Sequence, residues 1–380
     1  RNLIGYDWDW SRTPSDVRAY VEDSSIDARW GDLIQTAEAN QTINSAVIAG
    51  SVGIGAGKTG VAVSGSGVFS ENWIGVDVAS TIDGSDSIIV NDITLEASDT
   101  SIISALAAAA SIAASFALDT GVSVAIGVSL AHNTISSSVQ SYIRNADDVT
   151  ASGNVIIKAT GSDTINAVSA AASVAAAFAG KTAVGVSGAG AEATNVILTK
   201  TNAYIENSIL KSTGNVDLDA LNTSEINAVI VAASFSLAIG GKTGVGASIG
   251  LAVARNLIGW EAISFGAATY TTNEEPDQIV KGDTVEIMSG PRAGDIYKYI
   301  ADDTIIDPGE ESNYLHGLDY GNSDEWRRVD IGRSPAEVQA YVVNSGIDSE
   351  GTLTMDAKSV QSINAIVIAG SVAASGGTSN

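Results

Sequence analysis

Residues 164–190 read TINAVSAAASVAAAFAGKTAVGVSGAG. Alanine is the best helix former, so the run from Ala167 to Ala179 invites a helix. Its large residues argue against one. Val168, Val174 and Phe178 stand at even spacings, as on one side of a strand. A sister stretch from Glu225, EINAVIVAASFSLAIGGKTGVGASIG, is rich in β-branched residues and puts Val229, Val231, Ala233, Phe235, Leu237 and Ile239 on one parity. Both stretches are therefore expected to be strands that turn at Gly-Lys-Thr.

Further copies begin at Thr42 (TINSAVIAGSVGIGAGKTG), Ser101 (SIISALAAAASIAASFALDTG) and Ser362 (SINAIVIAGSVAASGGT). With leading isoleucines at Ile43, Ile102, Ile165, Ile226 and Ile363, the units start near 43, 102, 165, 226 and 363, a period of about 61 residues broken once by an insertion. Asn-x-Ile recurs at Asn2, Asn72, Asn133, Asn195 and Asn256. SYIRNADDVTASGNVIIKA from Ser141 is matched by AYIENSILKSTGNVDLDA from Ala203. In GNVDLDA, Val216, Leu218 and Ala220 alternate with Asp217 and Asp219, the pattern of a half-buried strand.

A fixed-length repeat of strands and Gly/Asn turns predicts an all-β fold, a β-solenoid of ~61-residue repeats carrying a small inserted β-domain. Residues 1–258 and 334–380 are assigned to the solenoid and 259–333 to the insertion. A meander of antiparallel strands, or three coils of about 20 residues per repeat, would also fit a repeat of this length. Stacking repeats would place Asn2, Asn72, Asn133, Asn195 and Asn256 in an amide ladder. It would also align Lys58, Asp119, Lys181 and Lys242 in a surface column. Gly-Lys-Thr at 57–59, 180–182 and 241–243 is then a turn, not a phosphate loop, because the glycine five residues earlier is replaced by Val52, Ala175 and Ser236. GxGxxG occurs once, at Gly55, Gly57 and Gly60, and is not kept in the second copy.

The chain has 380 residues, no cysteine, two histidines and a net charge of −25. Such acidity argues against nucleic acid and anionic membranes as partners. No unbroken apolar run reaches the 18 or so residues a membrane span needs. Residues 1 and 380 both fall inside a repeat, which reads as a slice of a longer repetitive protein or a unit that stacks end to end.

INAVSAAAS, GKTAVGVSGAGA and AYIENSILKSTGNVDLDA resemble the Ala/Gly/Val/Asn β-strand repeats of very large bacterial surface or secreted proteins of the adhesin-like, filamentous-haemagglutinin-like kind. The resemblance covers most of the chain outside the insertion. It implies an extracellular or cell-surface scaffold, adhesive or filament-forming, without catalysis.

The insertion is acidic and aromatic-rich, with Trp260, Tyr270, Tyr297, Tyr299, Tyr314, Tyr320 and Trp326. Its GDxV, YxY and late Trp are similar to small carbohydrate-binding β-modules, which implies a glycan-binding role for Trp260, Tyr297, Tyr299, Tyr320 and Trp326. The competing reading makes these aromatics the core of a small domain. No cofactor is expected beyond structural Ca²⁺ on acidic turns such as Glu274–Gln278 and Ile300–Ser312. His132 and His316 are isolated, against a His-based zinc site. The acidic residues fall in turns or in the insertion rather than clustering on one face, so a polysaccharide-cleaving enzyme ranks last. Few charges interrupt Thr164–Lys200 or Ile226–Ala254, where both strand faces carry Ala, Ser, Gly and Val. Self-association through these strands is the expected partner interaction.

Overall fold

The computed structural model describes residues 1–378 except 9–11, 263–267, 275, 277, 289–295, 303, 307–314, 316–317, 319, 321–324, 329–330 and 334–335. The chain is all-β, and among the described residues no helix is long and apolar enough to cross a membrane. It divides into two units, Arg1–Ile258 with Pro335–Asn380, and Gly259–Ser334.

In the first unit every strand pairs in parallel with its counterpart in the neighbouring repeat. One five-stranded sheet contains Leu33–Ala39, Ile93–Asp99, Val155–Gly161, Val216–Asn222 and Leu353–Ser359, in that order. A second contains Ile26–Ala28, Ile88–Val90, Val149–Ala151, Ile209–Ser212 and Gly346–Ser349. A ten-stranded sheet takes the long segments, among them Thr42–Asp83, Ile102–Arg144, Thr164–Ala179, Thr182–Glu206, Glu225–Gly240, Thr243–Ile258 and Ser362–Gly376. Parallel pairing at one-repeat offsets excludes the antiparallel meander.

The register runs Ile43, Ile103, Ile165, Ile226, Ile363. The second repeat thus leads with Ile103, not Ile102. The distinction matters because a one-residue slip sends a side chain to the opposite face.

Each repeat reverses at or near Gly-Lys-Thr, so an outgoing arm lies against a returning arm. Serines bridge the two layers, as in Ser51–Ser64 at 2.6 Å, Ser115–Ser123 at 3.1 Å and Ser187–Ser234 at 2.7 Å. Here the layers are too close for large side chains. A Cβ on Gly53 would stand 2.4 Å from the Val63 carbonyl oxygen, and one on Gly127 would stand 2.6 Å from that of Ala172. The buried parity is therefore Ala and Ser, including Ala171, Ala175, Ala177, Ala183, Ala191 and Ser173. The large residues face outward. This thin two-layer region is called the blade below.

At the base of the blade the layers diverge and the core enlarges. Ile43, Ile74, Ile103, Ile135, Ile165, Ile197 and Ile226 form one cluster. Beyond it Val, Ile and Leu from three strand groups fill the main core. The corner after each returning arm is held by a left-handed residue, with φ between 45° and 51° at Asp23, Asn145, Asn207 and Asn344, and 62° at Gly84. These are the residue types that tolerate that conformation best. At the next corner, Asp92, Asn154 and Asn215 accept backbone N–H bonds from Asn154, Asn215 and Thr352 of the following repeat.

The second unit has a four-stranded sheet in the order Tyr270–Thr271, Thr284–Glu286, Ile296–Tyr299, Trp326–Arg328. Its core contains Ile279, Val285, Tyr297, Tyr299, Leu315, Tyr320 and Trp326.

Candidate functional site

The parallel register brings the five Asn-x-Ile asparagines into one column. Asn2 donates to Asn72 at 2.7 Å, Asn72 to Asn133 at 2.8 Å, Asn133 to Asn195 at 2.8 Å and Asn195 to Asn256 at 2.8 Å. Asn72, Asn133 and Asn195 are buried, so each amide uses its neighbours to satisfy groups that water does not reach. A second, exposed row runs through the T/E/S-I-N motifs. Asn227 donates to Asn166 at 3.1 Å and Asn364 to Asn227 at 3.0 Å.

At the tip of the blade Asp119 lies between two lysines, with Lys181 Nζ at 2.7 Å and Lys58 Nζ at 3.8 Å. Lys242 follows one repeat beyond Lys181, exposed. The glycines of this turn differ in cause. Gly57 has φ 142°, outside the usual range of other residues. At Gly180 and Gly241 a Cβ would instead stand 2.2 Å and 2.1 Å from a carbonyl oxygen of the preceding repeat.

A tyrosine column stacks at the other end of the returning arms. Tyr142 and Tyr204 rings lie 4.7 Å apart, and Tyr204 and Tyr341 4.9 Å. Nearby, Arg144 bonds Asp83 and sits 5.1 Å from the Tyr142 ring centre. Asp16, Arg18, Tyr20, Asp77 and Gln140 help line a polar groove of about 700 Å³ beside them.

One acidic pair lies inside the core. Asp99 and Asp163 are both buried. Ser101 donates to Asp99 at 2.9 Å, and Ser137 at 2.7 Å and Thr199 donate to Asp163 Oδ2. Asp99 Oδ2 and Asp163 Oδ1 receive no hydrogen bond. Burial, and then the charge of Asp163, push the Asp99 carboxyl up to about 8; burial raises Asp163 as well, against the hydroxyls that bond it. A proton held between the two carboxyls supplies the donor that both free oxygens lack. The repeat pattern hides this pair, because its members occupy adjoining columns. Asp99 aligns with Gly161, and Asp163 follows that glycine by two residues.

The insertion aromatics require a correction. Tyr297, Tyr299, Tyr320 and Trp326 are buried, and Tyr299 and Trp326 retain only 1% and 3% exposure. Tyr320 and Trp326 rings meet at 4.8 Å, Tyr299 and Trp326 at 5.1 Å, and Tyr320 donates its hydroxyl to the Leu315 carbonyl at 2.6 Å. Rings that pack against each other present no open face to a sugar. These aromatics pack with Ile279, Val285, Ile287 and Leu315 as the core of the unit. The Trp260 side chain, Tyr314 and His316 lie outside the described residues, as do parts of both acidic turns considered for calcium. Among the described residues no three His, Cys, Asp or Glu side chains gather as a metal site.

The blade exposes large apolar side chains on both of its faces. Ile48, Val52, Ile112, Val174 and Phe235 face outward on the outgoing arms; Val61, Ile126, Val186, Ile249 and Leu251 do so on the returning arms. One parity of these strands, rich in Ala and Ser, is consumed between the two layers of the same chain. The outward surface carries Val, Ile, Leu and Phe together with exposed Ala110, Ala172 and Ala233 and scattered Gly.

No family model, no curated protein and no solved structure matches this chain.

Proposed function

We propose that the first unit is a β-solenoid with one turn per repeat, acting as a non-catalytic, self-associating scaffold of an extracellular or surface protein. The observation that supports this reading is the blade, with two apolar outward faces on a chain whose net charge is −25. Contiguous exposed apolar surface of this kind marks an interaction site. The columns of Asn, Tyr and Lys/Asp support the scaffold role, since each uses a repeated position to join neighbouring turns and not to gather reactive groups.

Sedimentation velocity of the full chain across micromolar to near-millimolar concentration tests the reading. The expected result is reversible, concentration-dependent association. A chain that stays monomeric throughout overturns it.

A further inference from the structure

The glycines of the blade fall into two classes. Inward ones such as Gly53 and Gly127 are imposed by the opposite layer, as described above. Four outward ones on the returning arms are not. Nothing lies within 4 Å of the place a Cβ would take at Gly65, Gly188 or Gly190, and at Gly67 the nearest atom is the Val128 carbonyl oxygen at 4.0 Å. None has positive φ. Glycine in a strand interior weakens the strand, and it commonly marks close approach by something else. Among the described residues of the first unit nothing approaches these four.

Their arrangement indicates what does. In the register of the returning arms, Gly65, Ile126, Gly188 and Ile249 form one row, and Gly67, Val128, Gly190 and Leu251 the next. The first and third repeats are hollow where the second and fourth carry exposed knobs. Ile126 is 51% exposed, Ile249 71% and Leu251 61%. From this alternation we propose that the returning face of the blade docks onto the same face of a second copy, related by a two-fold axis along the strands between the second and third repeats.

That axis keeps each row on itself and exchanges repeat 1 with 4 and repeat 2 with 3. Ile126 and Val128 then enter the hollows over Gly188 and Gly190 of the second copy. Ile249 and Leu251 enter those over Gly65 and Gly67. All four knobs find holes under a single operation, and the contact is isologous and closed. The strand spacing is common to both copies, so the match holds across the face.

Charge and area agree. Over the register-matched spans Thr59–Gly67, Thr120–Val128, Thr182–Gly190 and Thr243–Leu251 the arms carry no charged residue, and Glu192 stands two residues beyond the band. Two acidic chains can meet here without like charges in contact. A band nine residues tall over four strands covers about 600 Å² per copy, or about 1,200 Å² in total, enough for a specific complex. A lipid surface would accept the apolar band but has no use for hollows in register with knobs.

This inference rests on the self-association reading, and the experiment separates the two. Sedimentation equilibrium would compare the parent chain with two variants. The first, Gly188→Ile with Gly190→Val, fills two hollows that are open in the isolated chain, so its melting temperature should not fall. Its dimer Kd should rise at least about a hundredfold, because overpacked side chains cannot be seated. The second adds Ile126→Ala and Val128→Ala. Knobs then stand on the third repeat and hollows on the second, which the same axis again brings together, and Kd should return to within about tenfold of the parent. A parent that dimerises while the filled variant dimerises equally well, or the second variant fails to recover, overturns this docking and leaves self-association standing. A parent that is monomeric and floats with phosphatidylcholine vesicles overturns both.

Discussion

Two neighbouring strands of one repeat, Val216–Asn222 and Glu225–Gly240, alternate with the same period and opposite consequences. In the first, Val216, Leu218 and Ala220 are buried while Asp217 and Asp219 face outward. In the second, Ala228, Ala232, Ser234 and Ser236 are buried while Phe235 and Ile239 stand in solvent. The difference is the distance to the opposite layer. The main core is wide enough for Leu and Val, so the apolar parity turns in. The blade is only wide enough for Ala and Ser, so the large parity is displaced outward. Alternation sets which residues share a face; the space behind the strand sets which face is inside.

The sharpest way to break this contrast is to delete methyl groups on both sides of it. Leu218→Ala should cost about 2–5 kcal/mol in urea unfolding, through lost transfer energy and a cavity. Ile112→Ala, on the outer surface of the blade, should stay within about 0.5 kcal/mol in the isolated chain. Equal losses would mean that the blade's outer residues are covered after all.

Next comes the asparagine column that joins the two regions. Asn133→Ala removes one of the two acceptors of Asn72 Nδ2, leaving Ser70, and takes from Asn195 its donor, in burial. The expected loss is about 1–3 kcal/mol by the same measurement.

The acidic pair yields a smaller effect with a definite sign. Asp99, at about 8 in the folded chain against 3.8 for the free side chain, binds a proton more tightly when folded. Its contribution is fully present below about pH 4 and is lost as pH rises towards 8. Asp163→Asn keeps acceptors for Ser137 and Thr199 and offers an N–H to the Asp99 carboxylate. The melting temperature of this variant should therefore exceed the parent's at pH 8, by at least about 2 °C, with the gap closing towards pH 4. A gap that widens on acidification would refute the shared-proton account.

The smallest expected effect is at the blade tip. Asp119→Lys sets like charges beside Lys58 and Lys181, but all are near solvent, so the loss should be about 0.2–1 kcal/mol. It should shrink in high salt. A salt-independent loss would indicate that the turn geometry, not the charge column, was disturbed.

The all-β class, the length of the repeat and the Asn-x-Ile column are legible in the sequence because stacked positions must carry the same residue type. Sidedness in the blade is not. Ala occupies both parities of Thr164–Ala179, with Ser169 and Ser173 on one and Val168, Val174 and Phe178 on the other, and only the interlayer distance decides which of them faces in. The start of the second repeat is ambiguous in the sequence for a related reason: Ile102 and Ile103 are adjacent isoleucines, and the register selects Ile103. The insertion aromatics suit a sugar platform and a compact core equally well by composition, and packing decided for the core. Asp99 and Asp163 escape a column-by-column reading because each occurs once, in different columns.

The two asparagine rows have one further consequence. In the buried row every Nδ2 faces the following repeat; in the exposed row Nδ2 of Asn227 and Asn364 faces the preceding one. Reversing one amide in the middle of a row sets donor against donor on one side and acceptor against acceptor on the other. A row therefore behaves as a single two-state element, whose orientation is adopted by all members together. The rows also point in opposite senses, so their amide dipoles partly oppose each other along the stacking axis.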